Sequence, residues 1–199
     1  MWKWLKDRIK VPTRQDPRTY YEKRAFTKNT NDIPLGSIFL FSRLRQDFLG
    51  WAIRWVTNAE VCHAGIYAGD GFIIEATPKG VQRNGLTTHL NDSDMMWIYD
   101  SRSATPSQRQ EIVETATHCI GMPYDYPDIL GFLLGHHHDT KGKTICSELA
   151  VRCWRTSGLE CSGKPADATA PGDIQDYARA NVDKMYLYDV RNVKDKLDG

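Results

Sequence analysis

The side chains best able to do covalent chemistry in this 199-residue chain are five cysteines and six histidines. Cys146 stands out by its context. It opens the run Cys146-Ser147-Glu148-Leu149-Ala150-Val151-Arg152-Cys153-Trp154, in which Leu149, Ala150, Cys153 and Trp154 recur at helical spacing. Gly142-Lys143 marks a turn before the run, and Ser157-Gly158 stops the helix, with Gly158 suited to the left-handed position after the last turn. Cys146 therefore falls in the first turn, where unpaired backbone N–H groups and the helix dipole favour negative charge. A thiol there gives up its proton more readily, and the thiolate is the nucleophile. Free cysteine is also among the most buried residue types, so Cys146 taken alone reads first as a packed core thiol. A nucleophile needs a base, and the base needs an orienter.

His63 meets the requirement for a base. It lies in Val61-Cys62-His63-Ala64-Gly65-Ile66-Tyr67, a strand pattern that precedes the tight Gly69-Asp70-Gly71 turn and the strand Phe72-Ile73-Ile74-Glu75-Ala76. A hairpin strand is a rigid place from which to aim an imidazole. Glu75 is the candidate orienter, and hairpin register decides. A three-residue loop with Gly71 left-handed pairs Ala68 with Phe72 and Gly65 with Glu75, which puts His63 and Glu75 on one face, diagonally across neighbouring strands. A two-residue loop puts them on opposite faces. The other reading of Glu75 is an exposed strand-end carboxylate. His89 lies in a polar stretch, and His118 sits on a helix beside Cys119 and reads as surface or core filling. His136-His137-His138 stand next to Asp139 in a loop. Three adjacent histidines cannot all face one ion on regular structure, and no cysteine has zinc-like spacing to them, so no metal is expected. No cofactor is expected either.

The elements that must position these residues are short and mixed. Ser37–Phe41 is an apolar run that reads as a buried strand, and Gln46–Thr57 has the spacing of an amphipathic helix. Val81 and Met96–Tyr99 supply further strand candidates. Thr105 caps a helix with Pro106 at its first position, an apolar face of Ile112, Val113, Ala116, Cys119 and Ile120, and a stop at Gly121. Ile129–Leu134 reads as a helical turn, Pro171–Ile174 opens a short helix, and Met185–Val190 is a last strand. Helices and strands without βα alternation predict an α+β domain with an antiparallel sheet packed against helices.

Length fits one domain with a sizeable core. A net charge of +1 offers no bulk case for nucleic acid. The odd count of irregularly spaced cysteines, with no CxxC pair, suggests reduced thiols in a cytosol-like compartment. No apolar run approaches the ~18–20 residues that span a bilayer. Residues 1–32 read as an N-terminal arm ahead of a domain over 33–199. The first ten, MWKWLKDRIK, are basic and amphipathic without the features of a secretory signal. Trp2, Leu5 and Ile9 would form a short surface helix that docks on the domain or, as the lesser reading, touches a membrane surface.

Four segments in order, LGSIFLFS, VCHAGIYAGDGFIIEA, GMPYDY and ICSELAVRCW, resemble the circularly permuted branch of the NlpC/P60 papain-like superfamily, and more narrowly the YiiX/YycO-type proteins. The resemblance runs from about Ile33 to Asp176, includes the late PGDI element and leaves the arm outside. It implies a permuted papain-like fold with the histidine strand ahead of a cysteine helix. It places the family histidine on His63, the carboxylate on Glu75, the cysteine on Cys146, and the Tyr-Asp of a GxPYD motif on Tyr124 and Asp125. Cys62 departs from the small polar residue common before the histidine and reads as core filling. Tyr124 reads either as a donor or wall of the cleft or as a packed turn tyrosine. Glu148 reads as a complement to the helix dipole or, by the resemblance, as a structural hydrogen-bond acceptor.

The implied activity is a thiol hydrolase cleaving an amide, such as a peptide or a peptidoglycan stem peptide. Two alternatives stand. One is a lipid or thioester acyl hydrolase or acyltransferase using the same triad, although ICSEL departs from the NCEHF-type motif of the lecithin–retinol-acyltransferase-like branch. The other is a binding or structural module that keeps the fold. Without a secretory signal the expected location is cytoplasmic. A cell-wall target would require delivery, from a virion or at lysis.

Overall fold

The computed structural model describes residues 33–43, 59–86, 88–89, 93–126, 142–181 and 185–191. The first strand, β1 (Ile38–Arg43), grows from the apolar run after the Gly36 turn. It is followed by β2 (His63–Gly69), β3 (Phe72–Thr77), β4 (Gly80–Gly85) and β5 (Ser93–Ser101). Then come α1 (Pro106–His118), α2 (Cys146–Thr156), a 3₁₀ turn at Ala166–Ala168, α3 (Pro171–Ala180) and β6 (Met185–Arg191). The strands form one sheet in the order β4-β3-β2-β1-β5-β6. Every neighbouring pair is antiparallel. This is the α+β architecture expected from the pattern.

Strand alternation sorts the sheet residues into two clusters. Ile38, Leu40, Ala64, Ile66, Ile74, Ala76, Trp97 and Tyr99 share a core with Ile112 and Ala116 of α1 and Leu149, Ala150, Cys153 and Trp154 of α2. Phe39, Phe41, Tyr67, Ile73, Leu86, Met96 and Ile98 form the second cluster from the opposite face. Two apolar faces explain why β1 reads as a continuous apolar run rather than an alternating one.

The cysteine helix is held at its C-terminal end by two contacts. The Trp154 indole N–H donates to the Gly36 carbonyl at 2.9 Å, tying the last turns of α2 to the turn that launches β1. The Gln108 side-chain amide of α1 donates to Ser157 O at 2.9 Å, just past the end of α2. α1 is itself set by a capping box: Thr105 Oγ1 accepts from Gln108 N, and Thr105 N–H donates to Gln108 Oε1. Arg109 clamps Asp100 of β5 through both guanidinium nitrogens, at 2.5 and 3.1 Å. α1 ends earlier than its apolar spacing suggests. Cys119 is its C-cap and bonds back to Ala116 O, and Ile120 lies beyond the helix, 43% exposed. The tight closing turn and the positive φ of Gly121 end the helix before Ile120 can join its buried face.

The expected helix over Gln46–Thr57, the turn at Ile129–Leu134, the three histidines from His136 and the arm over 1–32 lie outside the described residues. No helix among the described residues is long and apolar enough to cross a membrane.

Trp154 is 1% exposed and joins the helix to the sheet by both area and hydrogen bond. Trp154→Ala should therefore destabilise the fold by about 3–5 kcal/mol, read as a shift in the urea midpoint at unchanged slope. A change below about 1 kcal/mol would mean that this contact does not anchor the helix.

Candidate active site

The β2–β3 hairpin sets the geometry. Gly69, Asp70 and Gly71 all take positive φ, at 87°, 53° and 75°. The ladder pairs Ile66 with Ile74 and Tyr67 with Ile73, then shifts so that Gly69 faces Phe72. The loop is thus Asp70-Gly71, two residues rather than the three expected. A two-residue loop alone would have turned His63 and Glu75 to opposite faces. The bulge around Ala68 absorbs one residue and restores the register that a three-residue loop would have produced. Gly65 then sits beside Glu75: a Cβ built on it would lie 3.5 Å from Glu75 Cβ and 3.2 Å from Ile73 Cδ1. The missing side chain leaves the diagonal between His63 and Glu75 open.

That diagonal is occupied by a direct contact. His63 Nε2 meets Glu75 Oε2. The carboxylate accepts only, so Nε2 carries the proton and Nδ1 is left for the second partner. That partner is the Cys146 side chain, which hydrogen-bonds the same ring. The structure therefore brings His63, Glu75 and Cys146 together from three elements. Glu75 is fully buried, Cys146 is 3% exposed, and the His63 side chain retains 17% exposure. The imidazole is the member of the three that opens to solvent.

Cys146 is the first residue of α2, and the chain leading into it is fastened. Tyr124 and Thr144 form a parallel bridge, with Asp125 N–H donating to Thr144 O and Thr144 N–H to Pro123 O, both at 3.2 Å. The connector is in turn bound to β4, through Val81 N–H to Met122 O and Gly121 N–H to Val81 O, each 2.9 Å. Gly80 is needed here, because a Cβ on it would lie 2.7 Å from Met122 O. Glu148 is 2% exposed; it accepts the Ile145 N–H at 3.3 Å and pairs with Arg152 at 2.5 Å. So Glu148 braces the residue before the sulfur, the structural role that the resemblance suggested. Tyr124 is 7% exposed, within the core, and its ring meets Tyr126 edge-on at 5.3 Å.

Two residues at the site were not singled out from the sequence. His89 Nε2 lies 2.7 Å from Glu75 Oε1, and Asn84 Nδ2 donates to the same oxygen at 2.8 Å. His89 is buried, with its ring stacked on Phe41 at 4.7 Å. No apolar spacing in the sequence marks it: it lies in a short helical piece just after β4, in a polar stretch. Asn84 was findable in principle: it faces Ile73 in the β3–β4 ladder, two residues from Glu75.

Burial works against charge on both His63 and Glu75, and their partners overcome it. For His63 the Cys146 sulfur, then the Glu75 carboxylate, outweigh desolvation and raise the imidazole from 6.5 to about 10. For Glu75 desolvation is outweighed by hydrogen bonds from His63 and His89, which hold the carboxyl far below the usual range. The other cysteines differ. Cys62 is buried, with its thiol directed at Phe41 O, as expected for core filling. Burial pushes the Cys161 thiol up, and a hydrogen bond to Cys119 together with burial does the same for Cys153. The partly buried Cys119 is the exception: its bond to Cys153 lowers it to about 7. All five are free thiols.

His63, Glu75 and His89 are a donor set of the kind that holds zinc, and their ligand atoms lie within 4.8 Å of one another. Their spacing is that of hydrogen-bonded side chains. Donors about 2.0–2.1 Å from a tetrahedral Zn²⁺ stand roughly 3.3 Å apart, whereas His89 and Glu75 are at hydrogen-bond distance, 2.7 Å, and His63 and Glu75 are in direct contact. The His63 ring is also hydrogen-bonded to the Cys146 side chain.

Residues 34–189 match the family described as permuted papain-like amidase enzymes, YaeF/YiiX, C92 family. The chain belongs to this permuted papain-like amidase family. A curated relative, the "probable lipoprotein peptidase YaeF" of Escherichia coli K12, is 29% identical over 102 residues, which is 51% of this chain and 36% of that protein. The chain thus matches little more than a third of that relative's length. A solved structure described as the metalloprotein yiiX from Escherichia coli O157:H7 superposes with a TM-score of 0.54 at 15% identity, covering 84% of this chain and 93% of that one. At that identity the likeness shows the fold. The family found is the permuted papain-like YaeF/YiiX one; neither the NlpC/P60 nor the YycO part of the resemblance is shown by it.

The raised imidazole in this amidase-family fold carries a sign for stability. The His63 contribution is fully present below pH 6.5, where the unfolded chain is also protonated, and is lost as pH rises through about 10. Chemical denaturation of the wild type and of His63→Gln should therefore show a stability gap that narrows steadily between pH 7 and pH 10.5. A gap that stays constant or widens would contradict the charged state assigned to the ring.

Proposed function

We propose that this protein is a cysteine hydrolase cleaving an amide bond through a thioacyl-enzyme, with Cys146 as nucleophile, His63 as acid and base, and Glu75 as orienter. The observation that carries the reading is the single His63 ring hydrogen-bonded to the Cys146 thiol on one side and the buried Glu75 carboxylate on the other. The thiolate, paired with the imidazolium, attacks the carbonyl carbon, and the C=O electron pair moves to oxygen. The Cys146 backbone N–H, at the start of α2, is the donor for that oxyanion. Collapse breaks the C–N bond, and His63 gives its proton to the departing amine. Neutral His63 then takes a proton from water, which attacks the thioester and releases the acid and the thiolate. Glu75 holds the ring tautomer throughout.

Tyr124 serves this scheme best through its backbone. Its pairing with Thr144 places the segment that delivers Cys146.

The substrate class follows from the family description as an amidase and from the relative named a probable peptidase. A peptide, including a peptidoglycan stem peptide, fits both. Acyl transfer on lipid or thioester groups would use the same three residues and remains the second substrate reading. Export or delivery of the protein to such a substrate, and contact of residues 1–10 with a membrane surface, are proposals outside the described fold.

Two measurements test the scheme. Iodoacetamide labelling resolved by peptide mass spectrometry should find Cys146 the fastest thiol at pH 7 in a Cys119→Ser background, used because Cys119 is the one competitor with a lowered thiol. His63→Ala should slow Cys146 by about 10²-fold or more, and prior treatment with a chelator should change nothing. Equal labelling of Cys146, Cys62, Cys153 and Cys161 would point to a binding module, and loss on chelation to a metal centre. Peptidoglycan fragments and phospholipids, each incubated with wild type and Cys146→Ala and analysed for products, should show cleavage of the former alone. Release of fatty acid would move the assignment to acyl chemistry.

A further inference from the structure

We propose that His89 is a positioning residue of this same site: its Nε2–H, donated to Glu75 Oε1, fixes which carboxylate oxygen faces His63. The proposal rests on the Cys146–His63–Glu75 reading and adds a fourth member to it.

Three observations carry it. Glu75 is fully buried and uses both oxygens, Oε2 toward His63 and Oε1 toward His89 at 2.7 Å and Asn84 at 2.8 Å. A carboxylate surrounded by protein needs donors on all its exposed lone pairs, since water cannot supply them. His89 is 5% exposed and clamped flat against Phe41, with ring centroids 4.7 Å apart. Its ring cannot swing away without giving up that stack. The His63 ring lies 5.7 Å from His89 and 6.0 Å from Phe41, so one aromatic side chain backs both imidazoles. An apolar ring would fill this space as well, but it would leave Oε1 to Asn84 alone.

The carboxylate accepts only, so His89 must present Nε2–H. Without that donor Glu75 is free to rotate about its last torsion and share its charge between Asn84 and His63. The imidazolium of His63 then loses part of its counter-charge, while the sulfur keeps its place on α2. Among the described residues, the titratable groups facing His63 are Cys146 from α2, Glu75 from β3 and His89 from the segment after β4. β1 offers only Phe41. The effect of His89 on His63 therefore runs through Glu75.

The test uses two alkylating reagents on the full chain in a Cys119→Ser background. Iodoacetamide reports the sulfur. Iodoacetate is also drawn by the imidazolium charge, so the ratio of the two rates falls as His63 loses its proton. In wild type that fall should come on the alkaline side. His89→Phe, which keeps the stack and removes the donor, should move the fall by about one pH unit toward acid and leave iodoacetamide labelling at pH 7 within about threefold. His89→Gln, whose amide can reach the same oxygen, should restore most of the wild-type profile. Unchanged profiles in His89→Phe would overturn the positioning role while leaving the nucleophile assignment intact. Equal shifts in His89→Phe and His89→Gln would overturn it too, by making the residue a structural filler. Failure of His63→Ala to slow Cys146 would remove the reading beneath it. Should His89→Phe not fold, long-range ¹H–¹⁵N spectra of the wild type decide: Nε2–H on His89 is required, and the Nδ1–H tautomer would sink the proposal.

Discussion

A carboxylate with no access to water is costly unless donors replace the solvent. Glu75 is such a group, and much of the local structure follows from satisfying it. Its two oxygens face His63 of β2, Asn84 of β4 and His89 from the segment after β4. The strands that bring them together cannot slide, because a slip by one residue would turn Glu75 into the opposite cluster and strand the charge. The bulge at Ala68 is where the hairpin absorbs the mismatch between a tight Asp70-Gly71 turn and that fixed register.

The same constraint reaches the sulfur. His63 can hold Glu75 with one nitrogen and a thiol with the other only if α2 begins at the right place. That place is determined by a relay of backbone contacts rather than by the helix itself. β4 binds the Gly121–Met122 turn, the turn leads to Tyr124, Tyr124 pairs with Thr144, and Glu148 holds Ile145. The far end is secured by Trp154 against Gly36 and by Gln108 against Ser157. A helix fixed at both ends keeps its first residue within reach of a ring on β2. Fixed geometry of this kind is what the proposed thiolate–imidazolium pair would need.

Much of this was legible in the chain. Cys146 could be placed at a helix start because an apolar stripe begins just after it and Gly158 closes it. His63 and Glu75 could be placed on a hairpin because Gly69-Asp70-Gly71 separates two β-rich runs. The α+β class followed from the order of elements. The shortened α1 was less legible, because Ile120 fits the helical spacing and only the glycine after it says that the turn closes first. His89 was not legible at all. It lies beyond a strand end, where periodicity says nothing, and a histidine among polar residues has no pattern to distinguish a buried donor from a surface side chain.

The sequence by itself determined which residues could do the chemistry, since nucleophile, base and carboxylate are matters of side-chain type, and which local elements carry them, since helix and strand periods are written in apolar spacing. Tertiary structure decided their company. Whether Glu75 faced His63 depended on a bulge whose position no local pattern specifies. The contact of Cys146 with a ring 83 positions earlier depended on how the sheet and helix stack. His89 joined the site because a buried charge had a lone pair left to satisfy. Local propensity acts over a few residues, whereas the desolvation of one carboxylate acts on everything that folds around it.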